Sequence, residues 1–123
     1  MTGRKTLEGH IGPKLREAAK AAGRPEPRVV AGFPIAITSK PDEARELAGK
    51  LFQMYGQLPS YRAMLDREGV AGPAEIALVG DEATLARELA GLRDAGVTDF
   101  NAACFPAEEG SVERTIDFLA GQL

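Results

Sequence analysis

Two apolar runs constrain this chain more than anything else in it. Residues 28–38, Arg28-Val29-Val30-Ala31-Gly32-Phe33-Pro34-Ile35-Ala36-Ile37-Thr38, are almost continuously apolar and bounded by turn residues. Residues 97–105, Val97-Thr98-Asp99-Phe100-Asn101-Ala102-Ala103-Cys104-Phe105, form a second strand pattern. Both fall well short of the roughly 20 residues that span a bilayer. Such runs read as strands covered on both faces, as parallel strands are. Pro34 has no N–H for a ladder and predicts a bulge or an early strand end.

Helical periodicity fills the intervals. Leu7, Ile11, Leu15, Ala18 and Ala22 make one stripe over residues 6–22, with Thr6 as N-cap, Gly23 as stop and Pro13 predicting a kink or a detached first turn. Pro41 opens a helix over 42–55 whose stripe is Ala44, Leu47, Ala48, Leu51, Phe52 and Tyr55. Residues 56–59 break it, and a short helix over 60–68 turns Tyr61, Met64 and Leu65 inward before Gly69 ends it. Residues 74–79 fit a strand or a helical turn equally. Asp81 caps a helix with Leu85, Leu89 and Leu92 on its core side, and Ser111 caps a last one with Val112, Ile116, Leu119 and Leu123 on one face.

Helices between strands imply right-handed crossovers and a parallel α/β sheet. Two strands are too few for such a sheet, and a closed eight-stranded barrel takes about 250 residues. The 123 residues, read as one domain, therefore need strand neighbours from another copy or from a larger protein.

Composition narrows the partners. With 15 Lys+Arg against 18 Asp+Glu, the net charge of −3 and the lack of a basic block exclude a nucleic-acid surface. Hydrophobic content of 44 % excludes disorder through low hydrophobicity. A polar start excludes a secretory signal, and one cysteine excludes an intrachain disulfide framework, which together fit a reducing cytoplasm and no membrane partner.

Catalytic signatures are scarce. There is no G-x-x-x-x-G-K-S/T, no G-x-G-x-x-G, no H-E-x-x-H, no C-x-x-C and no nucleophile elbow. With one His and one Cys, a transition-metal site from this chain alone is not expected. His10 beside the first stripe reads as a surface or half-buried imidazole, and Cys104 as a small core residue with no basic neighbour in sequence. Val79-Gly80-Asp81-Glu82 has the form of an anion-binding turn, but its two acids favour capping by Asp81. Residues 56–62 gather around a helix break with both tyrosines of the chain at or beside them, as a pocket wall, a subunit contact or plain packing of the break against the core would. In parallel α/β proteins ligands collect at the carboxyl ends of strands, which nominates Thr38 and Ser39 after the first strand, Phe105 after the second, and Asn101 if it reaches inward.

Several runs, in order, resemble the carboxyl-terminal portion of luciferase-like monooxygenase family proteins, and among them the coenzyme F-420 (deazaflavin)-dependent oxidoreductases. They are Thr6-Leu7-Glu8-Gly9-His10-Ile11-Gly12-Pro13, Arg28-Val29-Val30-Ala31-Gly32-Phe33-Pro34, Tyr55-Gly56-Gln57-Leu58-Pro59-Ser60-Tyr61-Arg62-Ala63-Met64-Leu65, Leu78-Val79-Gly80-Asp81 and Ala95-Gly96-Val97-Thr98-Asp99-Phe100. The stretch over 56–69 is the most specific. The resemblance implies a fold that is the last two βα units of a (β/α)8 TIM barrel, completed by homo-oligomerisation or by a missing N-terminal part. It implies an oxidoreductase moving hydride between F-420, or alternatively FMN, and an organic substrate. In relatives a Trp-Met-Thr-Gly-like run precedes the first helix, so on this resemblance Met1 corresponds to an internal methionine and the chain to a fragment. The family's main cofactor contacts come from earlier strands, so no catalytic residue carries over and the chain alone is expected to be inactive. The other reading is a non-catalytic, self-associating α/β module.

Overall fold

A computed structural model describes residues 2–122 of the protein. The N-terminal helix starts before its expected cap. It runs as α1 (Arg4–Thr6), a π-helical turn (Leu7–Ile11) and α2 (Gly12–Ala21), with Gly3 rather than Thr6 at the N-cap position. The π turn is where Pro13 makes itself felt: Gly12 N–H bonds back to Leu7, so the helix widens ahead of the proline instead of breaking. The orphan N–H groups of its first turn are met from far along the chain. The Glu68 carboxylate accepts from Thr6 N at 2.6 Å and Lys5 N at 3.2 Å, and Glu68 is 7 % exposed. A Cβ on Gly3 would collide with that carboxylate.

Strand β1 (Val30–Ile37) is followed by α3 (Pro41–Leu51), which ends earlier than its periodicity predicts. The chain tightens into a 3-10 turn (Gln53–Gln57) before α4 (Pro59–Glu68). Of the expected α3 stripe, Ala44 and Ala48 are buried and Leu47 and Phe52 half-buried, whereas Leu51, the last residue of the helix, is 53 % exposed. Gly69 stops α4 at φ +74°, with Val70 N bonding back to Leu65 O at 3.1 Å, a closure that needs the left-handed conformation glycine adopts freely. The ambiguous segment is both things in turn: a 3-10 turn (Pro73–Ile76) and then a short strand, β2 (Leu78–Gly80). Asp81 caps α5 (Glu82–Asp94) as expected, its Oδ1 accepting from Thr84 N at 2.8 Å. β3 (Asp99–Cys104) and α6 (Ser111–Ala120) complete the chain.

The three strands are parallel in the order β2-β1-β3. β3 runs beside β1 along its length, from Val30↔Asp99 to Ile35↔Cys104, whereas β2 meets only Ile35, Ala36 and Ile37. The open segment supplies a third strand, and helices pack on both faces of the sheet. Phe33, Ile35 and Ile37 pack with Leu85 and Leu92 of α5, while Ala36 packs with Ala44 and Ala48 of α3. The crossovers β1→β2 and β2→β3 run in opposite directions across the sheet, and right-handed connections then place their helices on opposite faces.

The bulge expected at Pro34 is absent. Val29 O and Ile35 O accept from β3-side amides, so odd residues of β1 direct their backbone groups at β3 and even residues point away. Pro34 is even and lies short of the stretch paired with β2, so its missing N–H removes no ladder bond. The two-sided burial expected of the second strand is also corrected: Phe100, Ala102 and Cys104 pack on the core, but Asn101 and Ala103 are exposed on the other face. In α6 the buried positions are Ser111 and Thr115, with Phe118 and Leu119 partly buried, while Ile116 is 53 % exposed. Gly110, not Ser111, is the N-cap, and Leu123 lies outside the described residues. Thr115 ties the helix to the sheet, accepting from Ile37 N at 2.9 Å and donating to Ser111 O at 2.5 Å.

Among the described residues no helix is long and apolar enough to cross a membrane, and no group of His, Cys, Asp and Glu could hold a metal ion.

Candidate functional site

The carboxyl ends of the strands meet at one end of the sheet, and their polar groups satisfy one another. Thr38 is buried; its N–H donates to Gly80 O at 3.0 Å and its Oγ1 accepts from Lys40 N at 2.9 Å. Exposed Ser39 donates from its N–H to Glu108 Oε1 at 2.9 Å and from Oγ to Oε2 at 3.1 Å. The Ser39 N–H is the first cause holding the Glu108 carboxyl below the usual carboxylate range. Nearby, Arg114 grips Glu82 through two bonds, Nε–Oε1 at 2.6 Å and Nη2–Oε2 at 2.8 Å, and this lowers the Glu82 carboxyl pKa.

Phe105 lies inside the fold, 3 % exposed. It is buried under α3 among Ala36, Ala44 and Ala48, edge-on to Phe52 at 6.4 Å between ring centroids. Its aromatic bulk is the reason: small alanines on α3 and β1 leave a space that only a large side chain fills. Thr38 and Ser39 do come together at the strand ends; Asn101 lies apart from them, in mid-strand opposite Gly32.

Asn101 belongs to a second feature, a cup of about 210 Å³ on the α3 side of the sheet, over the part of that face that α3 leaves open. Gly32, Pro34 and Ala103 form its floor, and Phe52, Tyr55 and Tyr61 its wall. The break between α3 and α4 builds that wall. Tyr55 and Tyr61 meet edge-to-face at 5.0 Å between centroids, and Phe52 lies 6.1 Å from Tyr55. The tyrosines were visible in sequence as a possible pocket wall. Gly32 and Ala103 were not singled out, although a glycine inside an apolar strand is a signal of close approach by another group.

The remaining candidates are quiet. His10 stands near Arg67 and Lys14, whose charges lower its pKa. Burial raises the pKa of the Cys104 thiol, so the thiolate is scarce and the side chain packs on the core. At the opposite end of the sheet, Asp99 accepts from Arg28 Nε at 2.9 Å and Thr98 Oγ1 at 2.7 Å; the Arg28 guanidinium holds its pKa down to about 2.

No family model and no curated protein matches the sequence. Among solved structures, an F420-dependent secondary alcohol dehydrogenase in complex with an F420-acetone adduct shares the fold, with a TM-score of 0.68 and 17 % identity. The likeness takes in 99 % of this chain and 40 % of that chain, so the present chain spans about two fifths of the dehydrogenase's length. That dehydrogenase is a luciferase-like protein, and the three-stranded parallel α/β fold described above matches part of its barrel.

Proposed function

We propose that this chain forms the last two βα units of a luciferase-like oxidoreductase barrel, which moves hydride between deazaflavin F-420, or alternatively FMN, and an organic substrate. The observation that carries this reading is the fold likeness over nearly the whole chain to an F420-dependent dehydrogenase, joined to the ordered sequence runs that resemble the same family. β1 and β3 are adjacent and parallel, as neighbouring barrel strands are, with the short β2 between them in sequence lying on the other side of β1.

The residues present do not make a complete site for either cofactor. The cup has no cation on its lining for a phosphate-bearing tail. At the strand ends Asp81, Glu82 and Glu108 outnumber Lys40 and Arg114, and Ser39 is already bonded to Glu108. The remaining strands, supplied by a larger protein or by further copies, are needed to complete it. Titrating reduced F-420 and FMN against the isolated chain is expected to give weak binding or none; tight one-to-one binding of either would overturn the partial-site reading.

The self-satisfied strand ends favour a second reading, a non-catalytic module that persists by association. The discriminating measurement is hydride transfer after adding back the missing barrel half: recovery of activity supports the enzyme, and a stable but inactive complex supports the module.

A further inference from the structure

We propose that the cup over Gly32 and Asn101 is a binding site for a small, uncharged molecule with a single planar ring. Its volume of about 210 Å³ exceeds the roughly 150 Å³ of a protein cavity that admits benzene. One six-membered ring with a few substituent atoms fits the cup. No Asp, Glu, Lys, Arg or His lines the cup, so a charged ligand would find no ion-pair partner there. Three aromatic rings offer faces and edges for stacking, and the Asn101 amide offers both a donor and an acceptor to one polar substituent.

The floor argues that the space is kept open by residue choice. Gly32 lies in the strand, and a Cβ built there would meet nothing nearer than 3.7 Å, the Asn101 carbonyl oxygen. The fold therefore accepts a side chain at this position. Its absence leaves the cup unfilled, where a β-branched residue would suit the strand better. This extends the oxidoreductase reading, on which it rests only in treating the ring as a substrate rather than an isolated ligand.

The chain has two tyrosines and no tryptophan, and both tyrosines line the cup, so intrinsic fluorescence reports on it alone. Benzyl alcohol is expected to change the tyrosine emission saturably, with a dissociation constant on the order of millimolar for so small a ligand. Benzoate, of the same shape but charged, is expected to leave it unchanged. Gly32→Val and Ala103→Leu fill the floor; each is expected to weaken benzyl alcohol binding by about tenfold or more while the thermal midpoint shows the fold retained. A linear, non-saturating response of the natural chain, an equal response to benzoate, or undiminished binding in a folded floor variant overturns the proposal. Deazaflavin binding is read separately, so loss of the ring site with cofactor binding intact counts against the cup and not against the oxidoreductase reading.

Discussion

Glu68 is a charged side chain in a nearly dry place, and its position is explained by the helix it serves rather than by the one it ends. Its carboxylate takes two amides at the start of the N-terminal helix, where the helix dipole favours negative charge. Glu68→Ala leaves those amides buried without an acceptor and is expected to destabilise the chain by about 2–3 kcal/mol, measured by urea denaturation. Asp99 works differently, on the surface and through Arg28. Its folded pKa of about 2 lies below its usual 3.8, so the fold favours the ionised form. The stability this contributes is present above about pH 4 and is lost as pH falls towards 2. Asp99→Asn is expected to flatten the acid limb of the stability profile in that window, and added salt to shrink the difference between the two proteins.

β1 is the element that everything else is fitted to. It is paired on one side along its length, paired on the other only at its end, and covered by helices of both layers. Its last amide leaves the ladder and is taken by Thr115 of α6. Thr115→Val keeps the volume but strands the Ile37 N–H in the core, and a loss of about 1–3 kcal/mol is expected from thermal or chemical unfolding. β1 and β3 were legible in sequence from their apolar runs, and the Asp81 cap and the Gly69 stop from local chemistry; β2 was not. The burial of Phe105 was not legible, because strand-end position does not reveal that α3 folds back over it. Nor was the outward turn of Leu51 and Ile116, since a 3.6-residue period predicts a stripe but not where a helix stops or what covers it. Tyr55 and Tyr61 could be marked as a pair; that Gly32, Pro34 and Ala103 lie beneath them depends on the pairing of β1 with β3.

The molecule presents two open sheet borders. By the alternation of β3, Phe100, Ala102 and Cys104 direct their backbone groups outward, and Val30 and Gly32 do the same on the unpaired half of β1. Val30 is 65 % exposed there, and a groove of about 650 Å³ beside β3 is lined in part by Phe100, Ile116 and Leu119. Such edges and apolar surfaces favour association with further strands. Light scattering on the eluted protein is expected to give masses above the 13.0 kDa chain, rising with concentration. Ala102→Pro removes an outward donor without touching the β1 ladder and is expected to shift the protein towards the monomer; a clean monomer of the natural chain at high concentration would count against association.

Local order along the chain was enough to establish a parallel α/β protein, because the period of apolar residues and the identity of caps and stops act over a few positions. Which side of β1 each helix covers, that Pro34 faces an unpaired border, that Glu68 reaches the first helix, and that an aromatic wall stands over a glycine all depended on contacts between residues some 20 to 80 positions apart. Those contacts follow from strand order and crossover direction, which no short window of sequence encodes.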